Sequence, residues 1–336
     1  MTVVGPFGLS VRDQALEADV QTGLAAVEAG LLDATKSEVP FITEAAQHLV
    51  RAGGKRFRPL LVMLAAQFGD PYAPGVVPAA VVVELTHLAT LYHDDVMDEA
   101  AVRRGVDSAN ARWGNSVAVL TGDFLFARAS HILADLGPEA VRIQAEAFER
   151  LVTGQILETA GPRDGRDPVA HYLDVIGGKT GSLIAVSGRF GAMMSGADET
   201  VVDILTQYGE RLGVAFQLAD DVLDIASDSH ESGKTPGTDL REGIPTLPVL
   251  LLRAQAAAHG LPDDLALVEL LDGDLADDAR HAEALRRLRA HPALEQARRD
   301  TVRYAEEARS TLTPLPECYA KAALVELCDA VVHRAG

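Results

Sequence analysis

Two aspartate-rich pentads are the residues in this sequence best suited to chemistry: DDVMD at positions 94–98 and DDVLD at positions 220–224. In a helix, residues four apart lie about 40° apart around the axis, so the first and last aspartates of each pentad share a face. Carboxylates held this way repel each other unless a cation lies between them. Mg²⁺ accepts such hard oxygen ligands and typically bridges one or two carboxylates to phosphate groups. We therefore predict that the two pentads bind Mg²⁺ and together clamp one diphosphate.

Each pentad follows an apolar helical stretch, THLATLYH before the first and LGVAFQLA before the second. A lone pentad is more typical of a solvated acidic helix end, but two matching pentads inside apolar stretches argue against that interpretation. His87 lies seven positions before Asp94, and Gln217 lies seven before Asp224, so each falls on the acidic face of its own helix. An isolated histidine in an apolar helix is more often a core residue, and beside hard carboxylates we expect no metal bond from His87.

Basic residues cluster at four places in a chain whose formal net charge is −19. Taken alone, each cluster is typical of a surface turn, and GGKTGSL does not have the GxxxxGK[ST] spacing of a nucleotide-binding loop. Next to glycines, however, dense cationic groups and exposed backbone can bind an anion. The clusters are Lys55, Arg56 and Arg58 in GGKRFRP, Arg103 and Arg104 in RRG, Lys179 with Thr180 in GGKTGSL, and Lys234 in SGKTPGTD.

Together these parts predict a cavity that takes two diphosphates, one held through metal ions and lysines and the other by Lys and Arg alone. Departure of a metal-bound diphosphate from an allylic carbon suits such a site, because cations neutralise the charge that grows on the leaving group. The carbocation left behind needs an apolar chamber that excludes water until a second substrate attacks. The apolar helix faces below the pentads are suited to form that chamber.

The composition favours packed helices, because 48% of the 336 residues are hydrophobic, only 5% are aromatic, and apolar residues recur at helical spacing. The breaks, such as 161–168 and 229–245, are too short for interdomain linkers, so we expect one domain. The acidic balance argues against nucleic acid as a partner. We see no secretory signal and no membrane-spanning run, and the two cysteines suit a reducing compartment, so we expect a cytoplasmic protein.

With these motifs in view, the chain resembles the trans-isoprenyl diphosphate synthases, also called polyprenyl synthetases. From GGKRFRP to VVHR it carries both pentads, RRG, GKT, FQLADD and GTDLREG in the order of that family. The resemblance implies an all-α, single-domain isoprenoid synthase fold over residues 1–336, with core motifs at about 53–334 and antiparallel helices around a central cavity. It further implies a homodimer without a transmembrane segment that uses Mg²⁺ to condense isopentenyl diphosphate with an allylic diphosphate.

The resemblance also implies roles for individual residues. Ionisation, condensation and proton elimination follow one another in that family, with the released diphosphate taking the proton, so no side-chain base is expected. Catalysis is assigned to Asp94, Asp98, Asp220, Lys179 and Arg103. Mg²⁺ ligands or their close support are Asp94, Asp98, Asp220, Asp221 and Asp224. Isopentenyl diphosphate is assigned to Lys55, Arg58, His87 and Arg104, and the allylic diphosphate to Arg103, Lys179, Thr180, Gln217 and Lys234. Gln155 and Glu158 in GQILE match the family as support.

Product length is expected to depend on Ala89 and Thr90, which lie about one turn below Asp94 on its helix. If a diphosphate binds at Asp94, the growing tail extends past these two small side chains. In similar short-chain enzymes a bulky aromatic residue at one of the two positions closes the pocket, and neither residue is bulky here. We expect an all-trans polyprenyl diphosphate longer than four isoprene units, a precursor of a quinone side chain; a geranylgeranyl or farnesyl synthase is the alternative.

Two other functions stay open. A terpene cyclase also ionises an allylic diphosphate at a DDxxD motif, but it takes one substrate and has no need of GGKRFRP, His87 and RRG together. The other alternative is a non-catalytic partner subunit of a heteromeric synthase, acting as a binding scaffold. Such partners tend to lose the second pentad or the basic cluster, and both are present here. Gly181 and Ser182 stand where the family commonly has alanines, which bears on the local shape of the cavity.

Overall fold

The computed structural model describes residues 3–4, 9–10, 13–227 and 236–335. Within these ranges the chain is almost entirely helical, which confirms the predicted all-α class. A five-residue π-helix, Gly177–Gly181, lies between α8 and α9. The α-helices are α1 Gln14–Ala34, α2 Pro40–Arg51, α3 Phe57–Ala66, α4 Val76–Met97, α5 Ala109–Trp113, α6 Asn115–Leu136, α7 Pro138–Ala160, α8 Pro168–Ile176, α9 Ser182–Met194, α10 Glu199–Ala226, α11 Thr238–Arg241, α12 Leu247–His259, α13 Pro262–Leu271, α14 Asp278–Arg289, α15 Pro292–Thr311 and α16 Tyr319–Ala335.

Short antiparallel hairpins supply the β-structure of the described residues. Strand β1 (Val3–Val4) pairs with β2 (Leu9–Ser10), and β3 (Val102–Arg103) pairs with β4 (Val106–Asp107). The turn between β3 and β4 is tight, because Arg104 and Gly105 take left-handed backbone angles, with φ of 54° and 78°. This hairpin places the two arginines of RRG directly after the end of α4.

Several helix boundaries follow local signals in the sequence. Asp13, Asp167 and Asp277 cap α1, α8 and α14, and each side chain accepts a hydrogen bond from the backbone N–H three residues further on. Helices α2, α8, α12 and α13 carry proline in their first turn, where no N–H is needed. Helix α12 ends at Gly260, whose φ of 62° suits glycine.

The described residues form two compact units. Unit 1 comprises Met1–Glu149, Leu183–Gly209 and Thr311–Glu326, and within it α4 packs against α1, α3 and α6. Unit 2 comprises Arg150–Ser182, Glu210–Ser310 and Leu327–Gly336, and within it α8 packs against the π-helix and α12. The first pentad and the basic cluster of GGKRFRP belong to unit 1, whereas the second pentad and GGKTGSL belong to unit 2. That the chain forms one domain stays a prediction.

Two helices, α4 and α6, are long and apolar enough to cross a membrane if length and composition are the only criteria. This differs from the expectation that no run in the sequence approaches a membrane span. In α4, 67% of the apolar window is buried inside the fold, as in the core helices of globular proteins, which pass the same test. In α6 the buried share is only 33%. Helix α6 therefore exposes apolar surface that α4 keeps inside.

Candidate functional site

The first pentad lies at the C-terminal end of α4 and has the predicted register. Asp98, the residue that caps α4, is 49% exposed, and Asp94 is partly exposed. The N–H of Asp98 donates to the carbonyl oxygen of Asp94 at 2.8 Å, as one helical turn requires. Asp95, between them in sequence, is fully buried. Two carboxylates of the pentad are therefore accessible on one side, and the third points into the protein.

Buried Asp95 holds an arginine of RRG. Nε of Arg103 donates to Oδ1 of Asp95 at 2.5 Å, and Nη2 of Arg103 lies 3.9 Å from Oδ2 of Asp98. Burial raises the pKa of Asp95, and the charge of Arg103 opposes that shift. Arg103, a predicted contact of the allylic diphosphate, is thus held in place by the buried carboxylate of Asp95. Sequence reasoning missed Asp95, although its position about 100° around the helix from Asp94 was an available signal.

Three of the four residues predicted to hold isopentenyl diphosphate lie together in unit 1. Burial lowers the pKa of His87 well below its usual value, and the positive charges of Arg58 and Arg104 lower it further. The His87 ring is therefore neutral at pH 7 and has one N–H to donate. Burial likewise lowers the pKa of Arg58 to about 10, although the negative charge of Glu84 opposes the shift. Lys55, the fourth predicted residue, is exposed in the loop before α3.

Glu84 is the buried carboxylate of this basic cluster and was not predicted. It lies on α4, one turn before His87, and is 2% exposed. Its Oε1 accepts a hydrogen bond from Nη1 of Arg56 at 2.9 Å and lies 3.7 Å from Nη2 of Arg104. A charge buried this deeply is stable only when it is paired, and here one carboxylate is shared between two guanidinium groups. Glu84 therefore balances the positive charge gathered around His87.

Arg56 differs from the expectation that it faces an anion with Lys55 and Arg58. Its side chain is 8% exposed and forms ion pairs with Glu84 on α4 and Glu28 on α1. It also donates to the backbone carbonyl of Val50 at 3.0 Å. Its partners lie 28 residues away along the chain in either direction, so the local motif gave no sign of them. Arg56 therefore fixes the GGKRFRP loop to α1 and α4.

The glycines of GGKRFRP make room for an arginine. Gly53 and Gly54 have φ of 82° and 150°, angles that other residues rarely adopt. A Cβ at Gly54 would lie 2.8 Å from Cζ of Arg104, so only glycine leaves space for that guanidinium. Nη1 of Arg104 donates to the backbone carbonyl of Leu49 at 3.2 Å and also to that of Gly53. The loop and the hairpin thus hold Arg104 between them.

The two predicted chain-length residues lie on α4 between His87 and Asp94. Ala89 is fully buried, and Thr90 is partly exposed and donates its hydroxyl to the carbonyl oxygen of His87 at 2.8 Å. Gly122 of α6 packs closely against this turn, because a Cβ there would lie 3.1 Å from the carbonyl oxygen of Ala89. The side chains at both positions are small, as the sequence required, and α6 closes the side of α4 that carries the Ala89 carbonyl.

The second pentad lies near the end of α10 in unit 2. Asp220 and Asp224 are partly exposed, whereas Asp221 is 4% exposed. Oδ1 of Asp221 accepts a hydrogen bond from Nε2 of Gln217 at 2.9 Å, and Oδ2 accepts one from the Tyr172 hydroxyl. Burial raises the pKa of Asp221 to about 8. Asp221 therefore has the surroundings of a supporting residue, which was one of its two predicted roles.

Asp224 accepts hydrogen bonds from the start of α11. Its two carboxylate oxygens receive the N–H groups of Thr238 and Asp239, each at 3.2 Å, and its carbonyl oxygen receives the N–H of Gly237 at 2.8 Å. The N-terminus of a helix favours a carboxylate in this position. These bonds connect the pentad to GTDLREG, another of the motifs that were singled out in the sequence.

Lys179 and Thr180 lie in the π-helix, a rare form that is frequent at functional sites. Nζ of Lys179 donates to Oε2 of Glu158 at 2.6 Å, and Gln155 donates to the same oxygen at 2.9 Å. The Thr180 hydroxyl donates to Oε1 of Gln217 at 3.0 Å. Glu158, expected as support, thus contacts Lys179 directly, and Gln155 contacts Lys179 only through Glu158.

The structure leaves part of the predicted site open. Lys234 lies outside the described residues. The first pentad lies in unit 1 and the second in unit 2, and their proposed common grip on one diphosphate stays a prediction. Among the residues that the structure describes, no three His, Cys, Asp or Glu side chains form a ready metal site. Mg²⁺ usually takes only one or two protein carboxylates and completes its coordination shell with water and phosphate oxygens. Two carboxylates, such as Asp94 and Asp98, are therefore enough protein ligands for one ion.

Known proteins are similar to this chain over nearly its whole length. A family model described as polyprenyl synthetase matches residues 39–287. Nonaprenyl diphosphate synthase of Mycobacterium tuberculosis is 48% identical over 330 residues, which cover 98% of this chain and 97% of that one. Dimethylallyltranstransferase of the same organism is 41% identical over 323 residues, covering 96% and 97%.

A solved structure agrees in fold. Geranylgeranyl pyrophosphate synthase from Corynebacterium glutamicum, crystallised with calcium and isoprenyl diphosphate, superposes with a TM-score of 0.87 at 45% identity. The match covers 97% of this chain and 99% of that one. That structure therefore holds a divalent cation and an isoprenyl diphosphate on the same fold.

The buried charge balance predicts an effect on stability. Glu84→Gln leaves Arg56 and Arg104 without their shared carboxylate, and we expect a loss of about 3 kcal/mol in the free energy of unfolding, because breaking a buried pair strands a charge. Glu44→Gln is the matched control: Glu44 pairs with Arg112 at 2.6 Å, but both side chains are about half exposed. Its expected cost is at most about 1 kcal/mol. Urea unfolding of both variants measures the difference, and equal losses would contradict the role of Glu84.

Proposed function

The chain belongs to the polyprenyl synthetase family and is a trans-prenyltransferase of the long-chain type, and we propose that it condenses isopentenyl diphosphate with an allylic diphosphate in an Mg²⁺-dependent reaction. The observation that carries the proposal is the arrangement on α4. Neutral His87, set among Arg58 and Arg104, and the accessible pair Asp94 and Asp98 occupy one helix, about 10 Å apart along its axis. The residues proposed to bind an anion and the carboxylates proposed to bind metal thus lie on one helix.

In this proposal Asp94 and Asp98, with Asp220 of the second pentad, hold Mg²⁺ on the allylic diphosphate. Bound there, Mg²⁺ would neutralise the charge that grows on the departing diphosphate. Nη2 of Arg103 lies 3.9 Å from Oδ2 of Asp98, so Arg103 adds a fixed positive charge next to the carboxylate pair. Lys179, Thr180, Gln217 and Lys234 are proposed as further contacts of this diphosphate.

The second substrate is proposed to bind at the basic cluster. Lys55, Arg58 and Arg104 hold the diphosphate of isopentenyl diphosphate, and the neutral ring of His87 donates one hydrogen bond to it. The allylic C–O bond breaks, and the double bond of the five-carbon unit attacks the allylic carbon to form a new C–C bond. A proton then leaves the condensed product, and the released diphosphate accepts it. This order requires no side-chain base.

A direct assay tests the proposed function. The purified chain alone, with Mg²⁺, isopentenyl diphosphate and farnesyl diphosphate, is expected to form prenyl products that chromatography of the dephosphorylated alcohols resolves. Asp94→Ala is expected to lower turnover by about a hundredfold or more at saturating Mg²⁺, because a proposed ligand of the Mg²⁺ on the departing diphosphate is lost. Asp203→Ala changes an exposed aspartate near the start of α10 that has no proposed role; this variant is the control and keeps wild-type turnover.

The outcomes of that assay separate the alternatives. A single cyclised product formed without isopentenyl diphosphate would identify a terpene cyclase. Binding without turnover by the chain alone would identify a partner subunit of a heteromeric synthase. Products that stop at three or four isoprene units would identify a short-chain enzyme. Wild-type turnover by Asp94→Ala would remove the metal assignment at the first pentad.

We propose that the product is an all-trans chain of more than four isoprene units, of the kind used for quinone side chains. The supporting observations are the small side chains of Ala89 and Thr90 in the turn before Asp94, and the 48% identity to a nonaprenyl diphosphate synthase over nearly the whole chain. A tail that starts at Asp94 meets no bulky residue at either position.

Ala89→Phe is expected to shorten the product series, because the ring fills the space that the growing tail needs. Chromatography of the products measures the shift, and the unfolding free energy is measured in parallel. Ala65→Phe is the control: Ala65 of α3 is fully buried where Gly191 packs against α3, so a ring there is expected to destabilise the protein by about 1–3 kcal/mol without a directed change in chain length. An unchanged product distribution in Ala89→Phe would contradict this role for Ala89.

A homodimer is proposed with α6 and the start of α7 at its interface. Val119 and Leu120 on α6 are 39% and 66% exposed, and Val141 on α7 is 42% exposed. Large apolar side chains exposed on neighbouring helices are typical of surfaces that bind another protein. In a symmetric dimer the same surface contributes from both copies.

We also propose a cytoplasmic location, which the absence of a disulfide at Cys318 and Cys328 supports.

Leu120→Asp is expected to shift the protein from dimer to monomer, because a twofold interface would bury the new charge twice. Light scattering at several concentrations measures the mass. Leu265→Asp on α13 is the matched control, since Leu265 is a comparably exposed leucine at 50% outside the proposed interface. A monomeric wild-type chain, or equal effects of the two substitutions, would rule out this interface.

A further inference from the structure

A chain of hydrogen bonds in unit 2 runs from a tyrosine that the sequence reasoning did not single out to the predicted diphosphate contact Thr180. The Tyr172 hydroxyl on α8 donates to Oδ2 of Asp221. Oδ1 of Asp221 accepts from Nε2 of Gln217 at 2.9 Å, and Oε1 of Gln217 accepts from the Thr180 hydroxyl at 3.0 Å. The chain thus joins α8, α10 and the π-helix through side chains alone.

The polarity of this chain is set by the donor and acceptor types of its members. An amide nitrogen only donates and an amide oxygen only accepts, so the Gln217 nitrogen faces Asp221 and its oxygen faces Thr180. Gln217 is thereby held in one orientation, and the second N–H of its Nε2 stays available to donate to an anion. Because Asp221 is 4% exposed, water does not compete effectively for its two bonds.

Tyr172 supports the far end of this chain. Its ring lies on α8, which packs against both α12 and the π-helix. Without the Tyr172 hydroxyl, Oδ2 of Asp221 loses a partner in a buried place, where an unsatisfied carboxylate oxygen is costly. The carboxylate then turns to find another donor, and Gln217 loses the bond that fixes its amide.

We propose that Tyr172 is a positioning residue for the allylic-diphosphate half of the site, acting through Asp221 on Gln217 and Thr180. The inference rests on the proposed function, since it takes Gln217 and Thr180 as contacts of that diphosphate. Tyr172 itself touches no substrate, and Asp221 serves as the buried link between the tyrosine and the glutamine. Arg58, His87 and Arg104, which are proposed to bind isopentenyl diphosphate, take no part in this series of hydrogen bonds.

Tyr172→Phe removes only the hydroxyl and tests the proposal. The KM for farnesyl diphosphate is expected to rise about tenfold, as for loss of one hydrogen bond to a charged group, while the KM for isopentenyl diphosphate stays within about twofold. Calorimetry with inorganic pyrophosphate and Mg²⁺ is expected to show a matching loss of affinity without turnover. Equal changes in the two KM values, or no change in either, would overturn the proposal.

Tyr208→Phe is the matched control for folding. Tyr208 on α10 is fully buried whereas Tyr172 is partly buried, but the Tyr208 hydroxyl likewise donates one hydrogen bond, to the carbonyl oxygen of Leu324 at 2.7 Å. Tyr208 has no part in the hydrogen bonds that run from Tyr172 to Thr180. Both variants are expected to lower the thermal midpoint by a similar amount. Only Tyr172→Phe is expected to change the KM for the allylic substrate, and the same kinetic change in Tyr208→Phe would show a merely structural effect.

A double-mutant cycle tests the connection itself. Tyr172 and Thr180 share no hydrogen bond, so independent effects on the KM for farnesyl diphosphate would multiply. If the two residues act through one series of hydrogen bonds, the KM of the double variant Tyr172→Phe, Thr180→Val is expected to be lower than independent effects would give. The expected difference is at least about threefold. Multiplicative effects would overturn the proposal. If the wild-type chain makes no prenyl product, the proposed function fails, and the pyrophosphate titration still decides whether the chain of bonds matters.

Discussion

The structure around the first pentad depends on the pairing of one buried carboxylate with several guanidinium groups. Glu84 is inside α4, where an uncompensated negative charge would be costly, and Arg56 and Arg104 are held in place by it. The basic cluster therefore keeps a positive net charge, while the carboxylate of Glu84 offsets the repulsion between its arginine side chains. The proposed binding of an anionic substrate by a protein with a formal charge of −19 relies on these cations being concentrated and fixed at one place.

The basic cluster's residues Glu84 and His87 and the first pentad lie on the same helix, α4, and the register of that helix places them near one side. Glu84, His87 and Asp94 follow one another at spacings that keep them near one side of α4, while the apolar residues between them face α1, α3 and α6. A long, mostly buried helix is a rigid support, and it holds the proposed anion site and the carboxylate pair at a fixed separation. Asp95 and Arg103 add a second layer at the C-terminal end, where a helix would otherwise fray.

Much of the fold and site was predictable from the sequence, and the limit of prediction has a physical reason. The helical class, the exposed positions of Asp94 and Asp98, and the polar line through His87 follow from local periodicity. Arg56 shows where this fails: within its motif it resembles an anion ligand, but its partners Glu28 and Glu84 lie 28 residues away in each direction. Tyr172 pairs with Asp221 across 49 residues, and the π-helix has no simple sequence signature. Contacts made by tertiary packing leave little trace in spacing.

The π-helix at Gly177–Gly181 fixes the number of residues in this segment as well as their type. A π turn holds more residues than an α turn, so it takes up an extra residue between two helices that are otherwise regular. Deleting one residue there would return the turn to α geometry while α8 and α9 kept nearly the same register. The side chains inside the turn would change direction, and Lys179 and Thr180 would lose their bonds to Glu158 and Gln217. The number of residues in this turn is therefore fixed by the contacts of its own side chains and not by the packing of the two helices.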